Sequence, residues 1–244
     1  KGYDMNKQKL IGFIDKYSLG NNIESVPWVV KGNNLSTDFV SEDRTLLGKT
    51  TLNNFELEDC EIGIYNTTQL QKMIAVLGND VNIHLKKADE RSIAVHMTDS
   101  DVSLNYMLAD LDIIPKAPKL KTLPDTTAEV TIDNDFTTKF VRAKGALSES
   151  DHFTVMSDNS GGKVILGESD SNTNKIKINV KMNMLSADNK LEPISFNANY
   201  LKEILVANRD HTEAKMEVCA GGLAILTFNN KDYTSKYYLV QTNV

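Results

Sequence analysis

The chain has 244 residues, 41% of them apolar and 25% charged, with a formal net charge of −6. That composition supports a folded core and excludes a disordered chain; no stretch approaches the roughly 18 apolar residues of a membrane helix, and the polar opening KGYDMNKQKL does not read as a signal peptide, with Met5 as the expected native start. Cys60 and Cys219 are too few for a disulfide framework and read as buried free thiols, while an acidic chain has no general attraction to nucleic acid, so any DNA-binding reading must locate concentrated positive charge.

In chain order, KQKLIGFIDKY reads as a helix over residues 6–17, followed by strands in PWVV, LSTDFV and TLLGKTTL. The acidic ELEDCE reads as a solvated connection leading into a strand. NTTQLQKMIAVLG places Leu70, Met73, Ile74 and Leu77 on one helical stripe, with Asn66 or Thr67 as cap and Gly78 as stop. VNIHLKK and SIAVHM then alternate, pointing Val81, Ile83 and Leu85, and Ile93, Val95 and Met97, to one side each. SLNYML closes this half.

Next comes IIPKAPKLKTLP, which holds three of the chain's five prolines and three lysines but no acid. Proline fixes φ and pushes its predecessor toward extended geometry. The run therefore reads as an extended strap, held to a surface by Ile113, Ile114, Leu120 and Leu123. Beyond it, DFTTKFVRAKGAL reads as a helix, HFTVMS, KVILGE and KIKINVKM as strands, and NSGG (residues 159–162) as a hairpin turn. ANYLKEILVANR reads as a fourth helix, and SKYYLV as the closing strand.

The two halves repeat each other. At an offset of 131 residues, Tyr65-Asn66 meets Phe196-Asn197, Leu70 meets Leu201, Met73 meets Ile204, and Ile74 meets Leu205. In the same register Leu85 meets Met216, Val95 meets Leu226, Met97 meets Phe228, Tyr106 meets Tyr237, and Leu108 meets Leu239. One register held across a helix and three strands indicates an internal duplication. The expected organisation is a domain over residues 1–112, a connecting loop over 113–124 and a second domain over 125–244. Each domain is expected to be α+β, with two helices plus antiparallel sheets.

FNANYLKEIL, with the closing DYTSKYYLVQ, resembles the C-terminal part of DNA sliding clamps of the proliferating cell nuclear antigen type. IYNTTQLQKMIAVL followed by PKAPKLKTLP is similar to the clamp of T-even-type bacteriophages. The resemblance implies two tandem copies of the DNA-clamp fold and three chains closed head-to-tail into a ring around duplex DNA. Helices would line the hole, and the strap would cross the outer face. The implied role is a polymerase processivity factor, without cofactor, metal, membrane contact or chemistry of its own. The implied partners are double-stranded DNA, a DNA polymerase, a clamp loader ATPase and two further copies of the chain. A phage origin would place it in a bacterial cytoplasm.

This reading requires cations on the helices. The four helical segments sum to +6, or +3 in each half, leaving −12 elsewhere. The expected channel residues are Lys7, Lys9, Lys16, Lys72, Lys139, Arg142, Lys144, Lys202 and Arg209, with Lys139 and Arg142 foremost. For the groove in which clamps seat apolar peptide anchors, the resemblance carries over Val40, Leu47, Leu120, Leu123, Leu223, Tyr238 and Val240. One departure bears on the groove wall: the cellular clamp has a proline near the strand start where this chain reads GGLAIL.

Catalytic motifs are not evident. His84, His96, His152 and His211 lie far apart in sequence and lack metal-ligand spacing; His84 and His96 fall at polar positions of neighbouring strands and read as ordinary surface histidines. NSGGK lacks the spacing of a phosphate loop, so an enzyme is not expected. Two alternatives remain open: a monomeric, non-ring DNA-binding processivity factor, which would gather charge on one half, and a duplicated viral structural protein.

Overall fold

The computed structural model describes residues 2–167 and 172–243. They divide into two compact units. Unit 1 is Lys1–Glu42, Gly48–Pro118 and Lys231–Ser235; unit 2 is Asp43–Leu47, Lys119–Asn230 and Lys236–Val244.

The first half runs β1 (Tyr3–Asn6), α1 (Lys7–Ser18), β2 (Val26–Lys31), β3 (Asn34–Val40), β4 (Leu46–Asn53), β5 (Cys60–Ile64), α2 (Thr67–Ile74), β6 (Asp80–Ala88), β7 (Arg91–Thr98) and β8 (Ser103–Met107). The second runs β9 (Ala128–Thr131), α3 (Asn134–Ala146), β10 (His152–Asp158), β11 (Gly161–Leu166), β12 (Ile176–Val180), β13 (Met182–Met184), β14 (Ile194–Asn197), α4 (Ala198–Ala207), β15 (Glu213–Cys219), β16 (Leu223–Asn229) and β17 (Tyr233–Val240). Apart from the short β13, the second series repeats the first element for element.

In unit 1, β1, β6, β7 and β8 form an antiparallel sheet in that order, and β2 pairs with β3 and β5. In unit 2, β12, β11, β10 and β14 form one sheet, and β9 pairs with β13 and β15. The unit boundary cuts β4 and β17, each of which contributes residues to both units. Alternation drives these sheets. In β6, Val81, Ile83 and Leu85 are buried, while Asn82 and His84 between them are half-exposed.

The helices are capped as their sequences suggest. Asn66 Oδ1 accepts from the Gln69 amide at 3.0 Å, and Asn197 Oδ1 accepts from the Tyr200 amide at 2.9 Å. These are the same cap at the 131-residue offset, and each satisfies a first-turn donor that the helix leaves unpaired. α2 is shorter than its pattern suggests. It ends at Ile74, and Val76 and Leu77 turn back through bonds to Met73 and Ile74. Tyr3, ahead of Met5, pairs with Ile83 and meets Phe55 edge-on. Asn159 and Ser160 form the tight turn between β10 and β11, with Gly161 at φ 114°. The strand expected to run through Glu168 ends at Leu166, and Glu168 itself lies outside the described residues.

The strap is held less evenly than its sequence suggests. Ile114 is buried, and a Cβ on Gly63 would meet its side chain at 3.1 Å. Ile113, Leu120 and Leu123 are exposed. The strap has no strand or helix from Ile114 to Thr127, and the unit boundary falls between Pro118 and Lys119. Its end is sewn to β15: the Thr127 amide donates to Val218 O at 2.8 Å, and Thr126 Oγ1 donates to Glu217 Oε2 at 3.0 Å.

Candidate functional site

The helices of each unit pack in pairs, α1 with α2 and α3 with α4. α1 buries Leu10, Phe13, Ile14 and Tyr17, and α3 buries Phe136 and Phe140. The polar faces of these helices carry the cations expected to meet DNA, but three of the nine are not on the surface.

Lys7 is buried and its ammonium donates to the Leu77 carbonyl. Lys16 is 3% exposed, with Nζ 4.1 Å from the centre of the Tyr233 ring, a cation–π contact. Lys144 is 4% exposed and donates to Ser148 O at 2.7 Å. Helical spacing carries the signal for this. Lys7 precedes Leu10 by three and Ile14 by seven, Lys16 follows Phe13 by three, and Lys144 follows Phe140 by four and precedes Leu147 by three. All three lysines therefore sit on or beside the apolar stripe, where a long aliphatic stem packs and the ammonium turns to a carbonyl or ring.

The other six are at least partly exposed. Lys9 lies 3.9 Å from Asp232, and Lys139 pairs with Asp135 one turn earlier at 2.8 Å. Lys72, Arg142, Lys202 and Arg209 have no ion pair among the described residues. Arg209 lies just beyond α4, in the turn that follows it. Setting the buried lysines aside leaves the first-half helices at +1 and the second-half helices at +2, so the even +3 split of the sequence is not an even surface split. A buried ammonium still adds to the field over its helix, but it does not touch a phosphate.

Unit 2 also holds most of the expected docking residues. β17 alternates: Tyr237 points inward, where its hydroxyl accepts from Asn208 Nδ2 at 2.9 Å and its ring meets Phe228 edge-on. Tyr238 points the other way and packs against Cys219, Leu223 and Ile225. Lys236 Nζ lies 5.7 Å from the Tyr238 ring centre. Leu47 is buried, while Leu120, Leu123 and Val240 are exposed. Beside them, the β15–β16 turn passes under the strap. A Cβ on Gly221 would meet Pro124 at 3.2 Å, and Gly222 holds φ 113°. The GGL sequence therefore serves a close approach and a left-handed turn that the proline of the cellular clamp could not copy residue for residue. Val40 is half-buried in unit 1.

Neither cysteine is disulfide-bonded. Cys219 is buried as expected, but Cys60 is only half-buried; burial is the main cause holding both thiols above their ordinary value, with Cys60 pushed up to about 11. No group of three or more metal-ligating side chains occurs among the described residues. None of the described helices is long and apolar enough to cross a membrane.

Solved structures share this architecture along the whole chain. A structure of A. fulgidus PCNA bound to the C-terminal region of FEN-1 superposes with a TM-score of 0.75 at 15% identity, covering 100% of this chain and 98% of that one. Proliferating cellular nuclear antigen from Entamoeba histolytica matches with a TM-score of 0.75 at 16% identity, covering 99% and 98%. No family model matches the sequence. No curated protein matches it either. The fold is that of the DNA sliding clamps. At this identity the likeness lies in the path of the backbone rather than in its residues.

Proposed function

We propose that the protein is a DNA polymerase sliding clamp, a non-enzymatic homotrimeric ring that encircles duplex DNA and tethers replication proteins. The observation that carries this reading is the agreement of the whole duplicated chain, end to end, with clamp structures. In this reading residues 1–112 and 125–244 are the two clamp domains and 113–124 is the connecting loop. A clamp loader opens one joint, and the ring works in the cytoplasm of a bacterium if a phage encodes it.

Sheet edges support closure. Among the described residues, β8 ends one sheet of unit 1 and β12 ends one sheet of unit 2. An edge strand presents a row of unpaired backbone groups, the kind of edge that pairs with another chain. Joining β8 of one copy to β12 of the next is a heterologous contact that closes when the rotation suits three copies. Lys9, Lys72, Lys139, Arg142, Lys202 and Arg209 then supply weak, sequence-blind attraction to phosphates, which permits sliding. Lys7, Lys16 and Lys144 keep only a supporting place, in the helix packing and the field.

The groove takes an apolar peptide anchor from the polymerase or another partner, between the strap leucines Leu120 and Leu123 and the wall of Leu47, Leu223, Tyr238 and Val240. Val40 joins this set on the resemblance alone.

The lower exposed charge of the first-half helices keeps one rival in view, a monomeric factor that binds DNA through the second half. A loader-independent experiment separates the two. The chain is mixed with linear duplex DNA whose ends are free or blocked by a bulky protein. A ring threads only over free ends, so at low salt it associates with the free-ended DNA and not with the blocked one; a surface binder is indifferent to blocking. Equal low-salt binding to both DNAs overturns the ring.

A further inference from the structure

The sequence separates His84 from His96 by twelve positions, yet the β6–β7 register sets them directly opposite each other. Their ring centres are 4.7 Å apart, with the planes at 51°. The β7–β8 register places Asn105 opposite His96, so that His84, His96 and Asn105 form one row across three strands. The row lies on the polar side of the sheet. Its neighbours Ile83, Leu85, Val95, Met97, Leu104 and Tyr106 all point to the buried side.

We propose that His84 and His96 together form a binding site for one borderline divalent cation of the zinc type, with water completing the coordination. Imidazole suits zinc, nickel and copper rather than magnesium or calcium. At this ring separation two imidazole nitrogens can reach one ion at a Zn–N distance of about 2.0–2.1 Å.

Asn105 prepares one of the ligands. His96 Nδ1 lies 2.7 Å from Asn105 Oδ1. An amide oxygen only accepts, so Nδ1 carries the hydrogen and the lone pair is left on Nε2. This is the arrangement in which an outer partner fixes the tautomer and orientation of a metal-binding imidazole. His84 faces His96 directly across the β6–β7 ladder and offers the second imidazole. Among charged neighbours on this face, Lys86 opposes a cation. Two protein ligands make a weaker site than the four of a structural zinc centre. The site is independent of the clamp reading, since it depends only on the β6–β7–β8 register.

The test is calorimetric titration of zinc chloride into the 244-residue chain in metal-free buffer at pH 7. One saturable site per chain is expected, and magnesium chloride should give no binding heat. His84→Asn and His96→Asn should each weaken zinc binding by about tenfold or more. Asn105→Ala should weaken it by about tenfold, whereas Asn105→Asp, which keeps the acceptor, should retain it. All four substitutions lie on the polar face, and unchanged circular dichroism checks that the fold survives. Zinc isotherms that are the same for the parent and for His84→Asn overturn the proposal, as does equal binding of magnesium.

Discussion

Lys144 donates to the Ser148 carbonyl at 2.7 Å from a buried position, while Arg142, two residues earlier on the same helix, is exposed. Truncating the first removes a charge-assisted bond and the packing of a buried aliphatic stem. Lys144→Ala should therefore lower unfolding stability by about 1–3 kcal/mol in urea titrations, with no change in the salt dependence of DNA binding. Arg142→Ala should leave stability within about 0.5 kcal/mol. It should also reduce the slope of log affinity against log salt by about 1 for each phosphate that Arg142 neutralises. A slope unchanged by Arg142→Ala would remove this residue from the DNA-facing set. Asp99 belongs at the same scale. Its carboxylate accepts backbone amides from Gly78 at 2.6 Å, Asp101 at 2.7 Å and Val102 at 2.6 Å. Those bonds hold it below the ordinary carboxylate range. Its contribution to stability is full above the unfolded value of about 3.9 and is lost as pH falls through the lower folded one. Asp99→Asn should be less stable at neutral pH and should lose less on acidification, as read from urea midpoints between neutral and acid pH.

At the scale of elements, β17 makes the sharpest contrast between core and surface. Tyr237 is fully buried, with its hydroxyl bonded to Asn208, while its neighbour Tyr238 covers Cys219, Leu223 and Ile225 from the opposite side. Tyr237→Ala should cost about 3–5 kcal/mol of stability, as large aromatic truncations in cores do. Tyr238→Ala should cost far less stability but weaken binding of an apolar anchor peptide by about 2 kcal/mol, the size of an interface hot spot. Fluorescence anisotropy with the C-terminal peptide of a partner polymerase would measure this, and unaltered affinity would move the docking site elsewhere.

The helices and most strands were legible in the sequence because amphipathic stripes and alternation report directly on which side of an element is buried. The cap Asn66 was legible as one of two candidates before the stripe, whereas Asn197 was read only as its repeat partner. β1, β9 and β14 were not, because strands of four residues carry too few alternations to stand out, and KIKINVKM read as one strand where β12 and β13 are separate. The burial of Lys7, Lys16 and Lys144 was written in their spacing, but charge counting treats every lysine as exposed. The facing of His84 and His96 was out of reach, since strand register is fixed by pairing across a turn and not by either segment alone.

At the scale of the whole molecule, the proposed function requires that an acidic chain hold DNA by enclosing it. The exposed helix charge is too small for tight binding by contact, which suits a topological mechanism better than a surface one. The repeated element order supplies the geometry, with two similar units per chain and an edge strand on each unit. The most direct test is the mass of the protein in solution by light scattering, without DNA, over a concentration series. A closed ring predicts a species of three times the chain mass that falls apart only on dilution. A dimer or an open-ended polymer would contradict it, because a chain of two clamp units completes a six-unit ring only in threes.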